Sequence, residues 1–143
     1  MREQARILLV DDDLVDCEAV LRAFKSHKVV NPITVVHDGV EALESLREEG
    51  SFAGAAAVST PSLILMDLNM PRMGGLECLK KIKEDPKFCH IPVVIFTSSR
   101  VETDVVSSYR HGAASYIMKP VTFDKLLDTV RAFDLYWTLS ELP

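Results

Sequence analysis

Five short apolar runs, each followed by a stretch with helical spacing, limit what this chain can fold into more than any other feature. The runs are Ile7-Leu8-Leu9-Val10, Ile33-Thr34-Val35-Val36, Leu63-Ile64-Leu65-Met66, Val93-Val94-Ile95-Phe96 and Ala114 to Met118. Short runs of this kind read as strands buried on both faces, the habit of parallel sheets covered by helices. Between and after them, apolar residues recur at helical spacing: Cys17, Val20, Leu21 and Phe24; Val40, Leu43 and Leu46; Leu76, Leu79 and Ile82. A weaker fourth set is Val101, Val105 and Tyr109, and a fifth is Phe123, Leu126, Leu127, Val130 and Phe133. Asp13 is placed to cap the first helix, the second begins near Asp38-Gly39, and the fourth ends around Gly112, where a positive φ is tolerated. Strict βα alternation predicts a single doubly wound α/β domain with right-handed crossovers. The stretch from Ser51 to Ser62 has no period and reads as a loop longer than most.

Two of the runs end in acid: Asp11-Asp12-Asp13 follows the first and Asp67 the third. In an open parallel sheet, ligands gather outside the carboxyl ends of the strands, so these acids define a candidate site. Thr97 follows the fourth run and Lys119-Pro120 the fifth, which places a hydroxyl and an ammonium at the same end. Clustered carboxylates repel one another and raise a carboxyl pKa unless a cation sits among them. A hard divalent cation with oxygen ligands, Mg²⁺ in particular, suits such a set and binds readily together with a phosphate. Taken singly, each residue has a plain reading: a solvated turn with a helix cap for Asp11 to Asp13, a turn former for Asp67, a surface lysine for Lys119. Their joint occurrence at four strand ends favours the site.

Bulk properties narrow the function. A chain of 143 residues holds one core and no second domain, and a net charge of -5 argues against binding nucleic acid or a membrane surface by broad electrostatics. Cys17, Cys78 and Cys89 are odd in number and lack metal spacing, so reduced, packed thiols in a cytoplasm are expected. No apolar run is long enough to span a bilayer. His27, His37, His90 and His111 share no metal spacing and read as solvated. Gly74-Gly75 fit the turn after Asp67, whether for backbone geometry alone or for a backbone that faces an anion.

On Asp11-Asp12, Asp67, Thr97 and Lys119-Pro120, the chain resembles the CheY-like receiver domain of two-component response regulators over about residues 6 to 132. The resemblance implies a flavodoxin-like (βα)5 fold with strand order 2-1-3-4-5. It also implies Asp67 as the phosphorylated residue, with Mg²⁺ held by Asp12, Asp67 and the Asn69 backbone carbonyl, and by Asp11 through water. Lys119 and Thr97 would bind the phosphoryl oxygens, Lys119-Pro120 would be a cis peptide, and Thr97 with Tyr116 would form the switch. The donor would be a sensor histidine kinase. Residues 1–132 then form the receiver and residues 133–143 an apolar extension of the last helix. The long segment before the third strand and the ending Tyr136 to Pro143 further resemble regulators associated with bacterial phytochrome kinases, some of which dimerise through this region. Phe133, Tyr136, Trp137, Leu139 and Leu142 are therefore candidates for a homodimer contact.

The expected role is a signalling switch rather than a dedicated enzyme. A pseudo-receiver that only docks or dimerises is the alternative, and the complete acid, threonine and lysine set speaks against it. A phosphatase with an aspartyl-phosphate intermediate would carry a general acid two residues after the nucleophile, where this chain has Asn69.

Overall fold

The computed structural model describes residues 6–27, 31–48, 60–98, 102–119, 122, 124–126 and 128. Strands β1 (Ile7–Val10), β2 (Ile33–Val36), β3 (Leu63–Met66), β4 (Val93–Thr97) and β5 (Ser115–Met118) alternate with helices α1 (Leu14–Ser26), α2 (Gly39–Arg47), α3 (Gly75–Glu84) and α4 (Glu102–Arg110). All strand pairs are parallel and the order is β2-β1-β3-β4-β5, as the sequence resemblance implies. Order reverses beside β1, which pairs with β2 on one side and β3 on the other, and this is where an open α/β sheet has its crevice.

Alternate residues of each strand face opposite layers. Leu8, Val10, Ile64, Met66 and Ile95 pack with Leu43 and Leu46 of α2 and with Cys78, Leu79 and Ile82 of α3. Ile7, Leu9, Leu63, Leu65, Val94 and Phe96 pack with Cys17, Val20 and Phe24 of α1 and with Leu126. Each such side chain contributes roughly 1.5–3 kcal/mol on burial, so the central strands are pinned from both faces and their carboxyl ends sit at fixed positions.

Caps set the helix starts. Asp13 accepts hydrogen bonds from the N–H groups of Val15 and Asp16, as expected, and Asp38, near which the second helix was expected to begin, caps α2 by accepting one from Glu41 N–H. Gly112 has φ +102° just past α4, again as expected.

Several sequence expectations are corrected. Strand β4 runs on through Thr97, while β5 starts at Ser115 rather than Ala114. Tyr109 of α4 is 47% exposed, whereas Ser108 is fully buried. Its hydroxyl donates to Asp104 O at 2.8 Å, so the small side chain is satisfied inside the helix and can face the domain. Cys89 is exposed and Leu21 lies at the surface, although Cys17 and Cys78 are buried fillers as read. Asp124 to Leu126 and Asp128 are helical. Phe123, Leu127, Val130, Pro120, most of the 51–62 loop, and the dimer candidates Phe133, Tyr136, Trp137, Leu139 and Leu142 lie outside the described residues.

Candidate functional site

Because Val10 is in register with Met66, the residues that follow them, Asp11 and Asp67, emerge together at the carboxyl end of the sheet. The ladder continues one step beyond each strand: Asp67 N–H donates to Val10 O at 2.9 Å and Asp11 N–H to Val36 O at 3.0 Å. Backbone pairing therefore fixes both carboxylates. Asp11 and Asp67 are buried and Asp12 is exposed, and each offers an oxygen within 4.8 Å of the others. Asp13 caps α1 and its own N–H donates to Asp11 Oδ1 at 3.0 Å, which supports the cap assignment made from sequence.

Lys119 N–H donates to Thr97 O at 3.0 Å, so the β4–β5 ladder places the lysine beside the acids. Its Nζ donates to Asp16 Oδ2 at 2.5 Å, Asp11 Oδ2 at 3.1 Å and Asp67 Oδ2 at 3.3 Å, and lies 5.2 Å from the Phe96 ring centroid. Burial opposes the ammonium charge, but the hydrogen bonds to Asp16 and Asp11 and the charge of Asp67 outweigh it and raise the lysine pKa. Burial also pushes the Asp11 carboxyl up to about 6, against the lowering effects of Asp13 N–H and Lys119. Thr97 is fully buried at the end of β4. An open cleft here is lined by Asp12, Asp13, Asp16, Asp67, Asn69, Thr97, Ser98 and Lys119. Tyr116, expected as the switch aromatic, is in register with Ile95 and packs partly buried against the α2–α3 side of the core.

Two features escaped the sequence reading. Asp16 lies in the first turn of α1, a common place for an acid, yet it makes the shortest contact of Lys119. Arg72, in the loop after Asp67, has φ +60° and grips the cap of α2 in a bidentate pair, Nε to Asp38 Oδ2 at 2.8 Å and Nη2 to Oδ1 at 3.2 Å. The glycines of that loop have no positive φ; Gly75 is required because a Cβ there would meet Asp67 O at 2.1 Å. Cys17 Sγ contacts Asp11 O at 3.4 Å, and burial pushes its thiol up to about 11, consistent with an inert filler.

The donor set suits a hard divalent cation. Three carboxylates converge, and Asp67 Oδ1 is buried without a hydrogen-bond partner among the described residues, an arrangement that is costly unless something positive completes it.

Residues 7–131 match the response regulator receiver domain, and the chain belongs to that family. Among its relatives is the response regulator Rcp1 of Synechocystis sp., 33% identical over 131 residues that cover 92% of this chain and 87% of Rcp1. The crystal structure of the Mn²⁺-bound form of Rcp1 superposes with a TM-score of 0.77 at 32% identity, covering 97% of this chain and 99% of that one. The bacteriophytochrome response regulator AtBRR is 36% identical with a TM-score of 0.87, covering 99% of this chain and all of its own. The phosphorylated cyanobacterial phytochrome response regulator RcpA is 36% identical with a TM-score of 0.79, covering 97% of this chain and 100% of that one. The chain is thus a receiver related to phytochrome response regulators.

Proposed function

We propose that this receiver takes a phosphoryl group from a phosphohistidine of a sensor histidine kinase onto Asp67, and that the charged state changes what the domain binds. The observation that carries the reading is Asp67 itself, a buried carboxylate with one orphaned oxygen, next to two further acids and facing a fixed ammonium. Phosphoryl transfer asks a protein chiefly to position groups and neutralise charge. A carboxylate oxygen of Asp67 attacks phosphorus, the P–N bond to the donor imidazole breaks, and its electron pair returns to the ring. Lys119 and Thr97 supply N–H and O–H donors for the phosphoryl oxygens. Asp12 and Asp67, with the Asn69 carbonyl and with Asp11 through water, would hold Mg²⁺, which when bound neutralises the crowded carboxylates and the incoming oxygens. The Mn²⁺-bound form of Rcp1 and the phosphorylated form of RcpA support both parts by similarity.

In this reading the domain catalyses its own labelling and slow hydrolysis, and works as a switch rather than a dedicated enzyme. Three acceptor oxygens and about two negative charges on Asp67 bias the β4–α4 segment through Thr97, with Tyr116 turning inward. The similarity to AtBRR and RcpA favours a bacteriophytochrome as kinase, in the cytoplasm. Pairing of two copies through Phe133, Tyr136, Trp137, Leu139 and Leu142 belongs to the same proposal and is read from the mass in solution of wild type against Trp137→Glu. Neither nucleic acid nor membrane is a partner in it; among the described residues no helix is long and apolar enough to cross a membrane.

The test is transfer from an autophosphorylated bacteriophytochrome kinase. Label should pass to the wild type and not to Asp67→Asn. Equal behaviour of the two chains, with binding to the kinase retained, would favour a docking module instead.

A further inference from the structure

Lys119 divides its ammonium among three carboxylates that differ in what their release would leave behind. Freed from Lys119, the Asp11 side chain, 0% exposed, becomes a buried charge that keeps only the Asp13 N–H, which is strongly unfavourable, whereas Asp67 gives up its carboxylate charge when its oxygen bonds to phosphorus. Asp16, 34% exposed, can turn to water at little cost. An ammonium has three protons, and all three are in use. A phosphoryl group on Asp67 inherits the proton that Lys119 gives that residue and adds three strong acceptor oxygens, so Lys119 can give it a second hydrogen bond only by leaving Asp11 or Asp16. The carboxylate whose departure costs least is also the one that holds the lysine at the shortest distance, 2.5 Å.

We infer that Asp16 is a positioning residue that restrains Lys119 in the unmodified receiver and competes with the phosphoryl group for it. The inference rests on the receiver reading given above and assigns a regulator of that same site. Asp16 is well mounted for the task. Its N–H donates to the cap residue Asp13 at 3.2 Å, so the start of α1 fixes its backbone, and its side chain lines the same cleft as Asp67 and Lys119. Exchange of Lys119 from Asp16 to the phosphoryl oxygens also joins the chemical event to the start of α1, an element outside the proposed switch of Thr97, Tyr116 and the β4–α4 segment.

The experiment compares wild type, Asp16→Asn, Asp16→Glu, Lys119→Ala and the double variant Asp16→Asn with Lys119→Ala. Two quantities are read: the rate of labelling by acetyl phosphate with Mg²⁺, and the affinity for beryllium trifluoride with Mg²⁺ as a phosphoryl mimic. Asp16→Asn should label about 2- to 5-fold faster and bind the mimic tighter by a similar factor, the range of one partly exposed ion pair. Asp16→Glu should return both towards wild type. In the Lys119→Ala background, Asp16→Asn should change neither, because the interaction runs through the lysine. Where Lys119→Ala labels too slowly to time, mimic affinity supplies the comparison.

Wild-type rates in a folded Asp16→Asn, with urea denaturation as the control, would overturn the inference. So would an equal acceleration without Lys119, which assigns the effect to reduced negative charge at the cleft. A wild type that takes neither label nor mimic overturns the receiver reading itself, a different failure.

Discussion

Lys119 Nζ and Asp11 Oδ2 meet at 3.1 Å, joining the carboxyl ends of β5 and β1 across 108 positions of the chain. Even with this partner, burial keeps the Asp11 carboxyl raised to about 6, so its charge remains a net cost in the metal-free fold. Asp11→Asn removes the charge and keeps an acceptor for Asp13 N–H. Without metal it should stabilise the domain by about 1–3 kcal/mol near neutral pH, on the scale of roughly 1.4 kcal/mol per pKa unit. It should also reduce the extra stability that Mg²⁺ confers on the wild type. Urea denaturation with EDTA and with Mg²⁺ reads both effects.

The stability of the metal-free domain should have two acid-side limbs of opposite sign. Asp11 binds its proton more tightly folded than unfolded, so its contribution is full below its usual value of 3.8 and is lost as pH rises through about 6. Asp38 behaves in reverse. Burial pulls its carboxyl up, but the Arg72 guanidinium and the Glu41 N–H outweigh it and hold the group below 3.8. Its contribution is present above 3.8 and is lost as pH falls through the lower folded value. Stability in EDTA should therefore gain from Asp11 between about pH 7 and 4 and lose from Asp38 below that. In Asp11→Asn the upper limb should disappear.

Asp38→Ala should lower stability by about 1 kcal/mol through loss of the α2 cap. Arg72→Ala should also destabilise, since alanine keeps the strained left-handed φ of this position while the bidentate pair with Asp38 is lost. The effects should fall short of additive in the double variant, because both changes break the same clamp. A double-mutant cycle by urea denaturation measures the shortfall.

Gly75→Ala should be the most damaging small change near the site. The added methyl would sit 2.1 Å from Asp67 O and 2.8 Å from Leu68 Cα, both backbone atoms, so the start of α3 or the end of β3 must move. A cost of about 1–3 kcal/mol is expected for such overpacking, together with slower labelling of a displaced Asp67. Denaturation and acetyl phosphate kinetics on the same sample check the pair.

Strand ends were legible because four apolar runs stop at one side of the sheet, and whatever follows them must converge there; Asp11, Asp67, Thr97 and Lys119 emerged that way. Asp16 did not, since an acid in the first turn of a helix already has a local explanation, its favourable interaction with the helix dipole. The usable signal was its place in the first turn of α1, on the helix that starts from the acid cluster. Arg72 was hidden for another reason: a left-handed non-glycine residue in a loop leaves no periodic trace, and glycines nearby drew the expectation of turn geometry to themselves. The face of α4 misled because a serine with its hydroxyl satisfied inside the helix can be buried while a tyrosine stays out.

The central claim is that Asp67 is a metal-dependent phosphoacceptor. It is tested most directly by the intact mass of wild type and Asp67→Asn after incubation with acetyl phosphate, with Mg²⁺ and with EDTA. The account predicts one added phosphoryl group on the wild type with Mg²⁺ and on no other sample. Equal labelling of Asp67→Asn, or labelling of the wild type that ignores the metal, would contradict it.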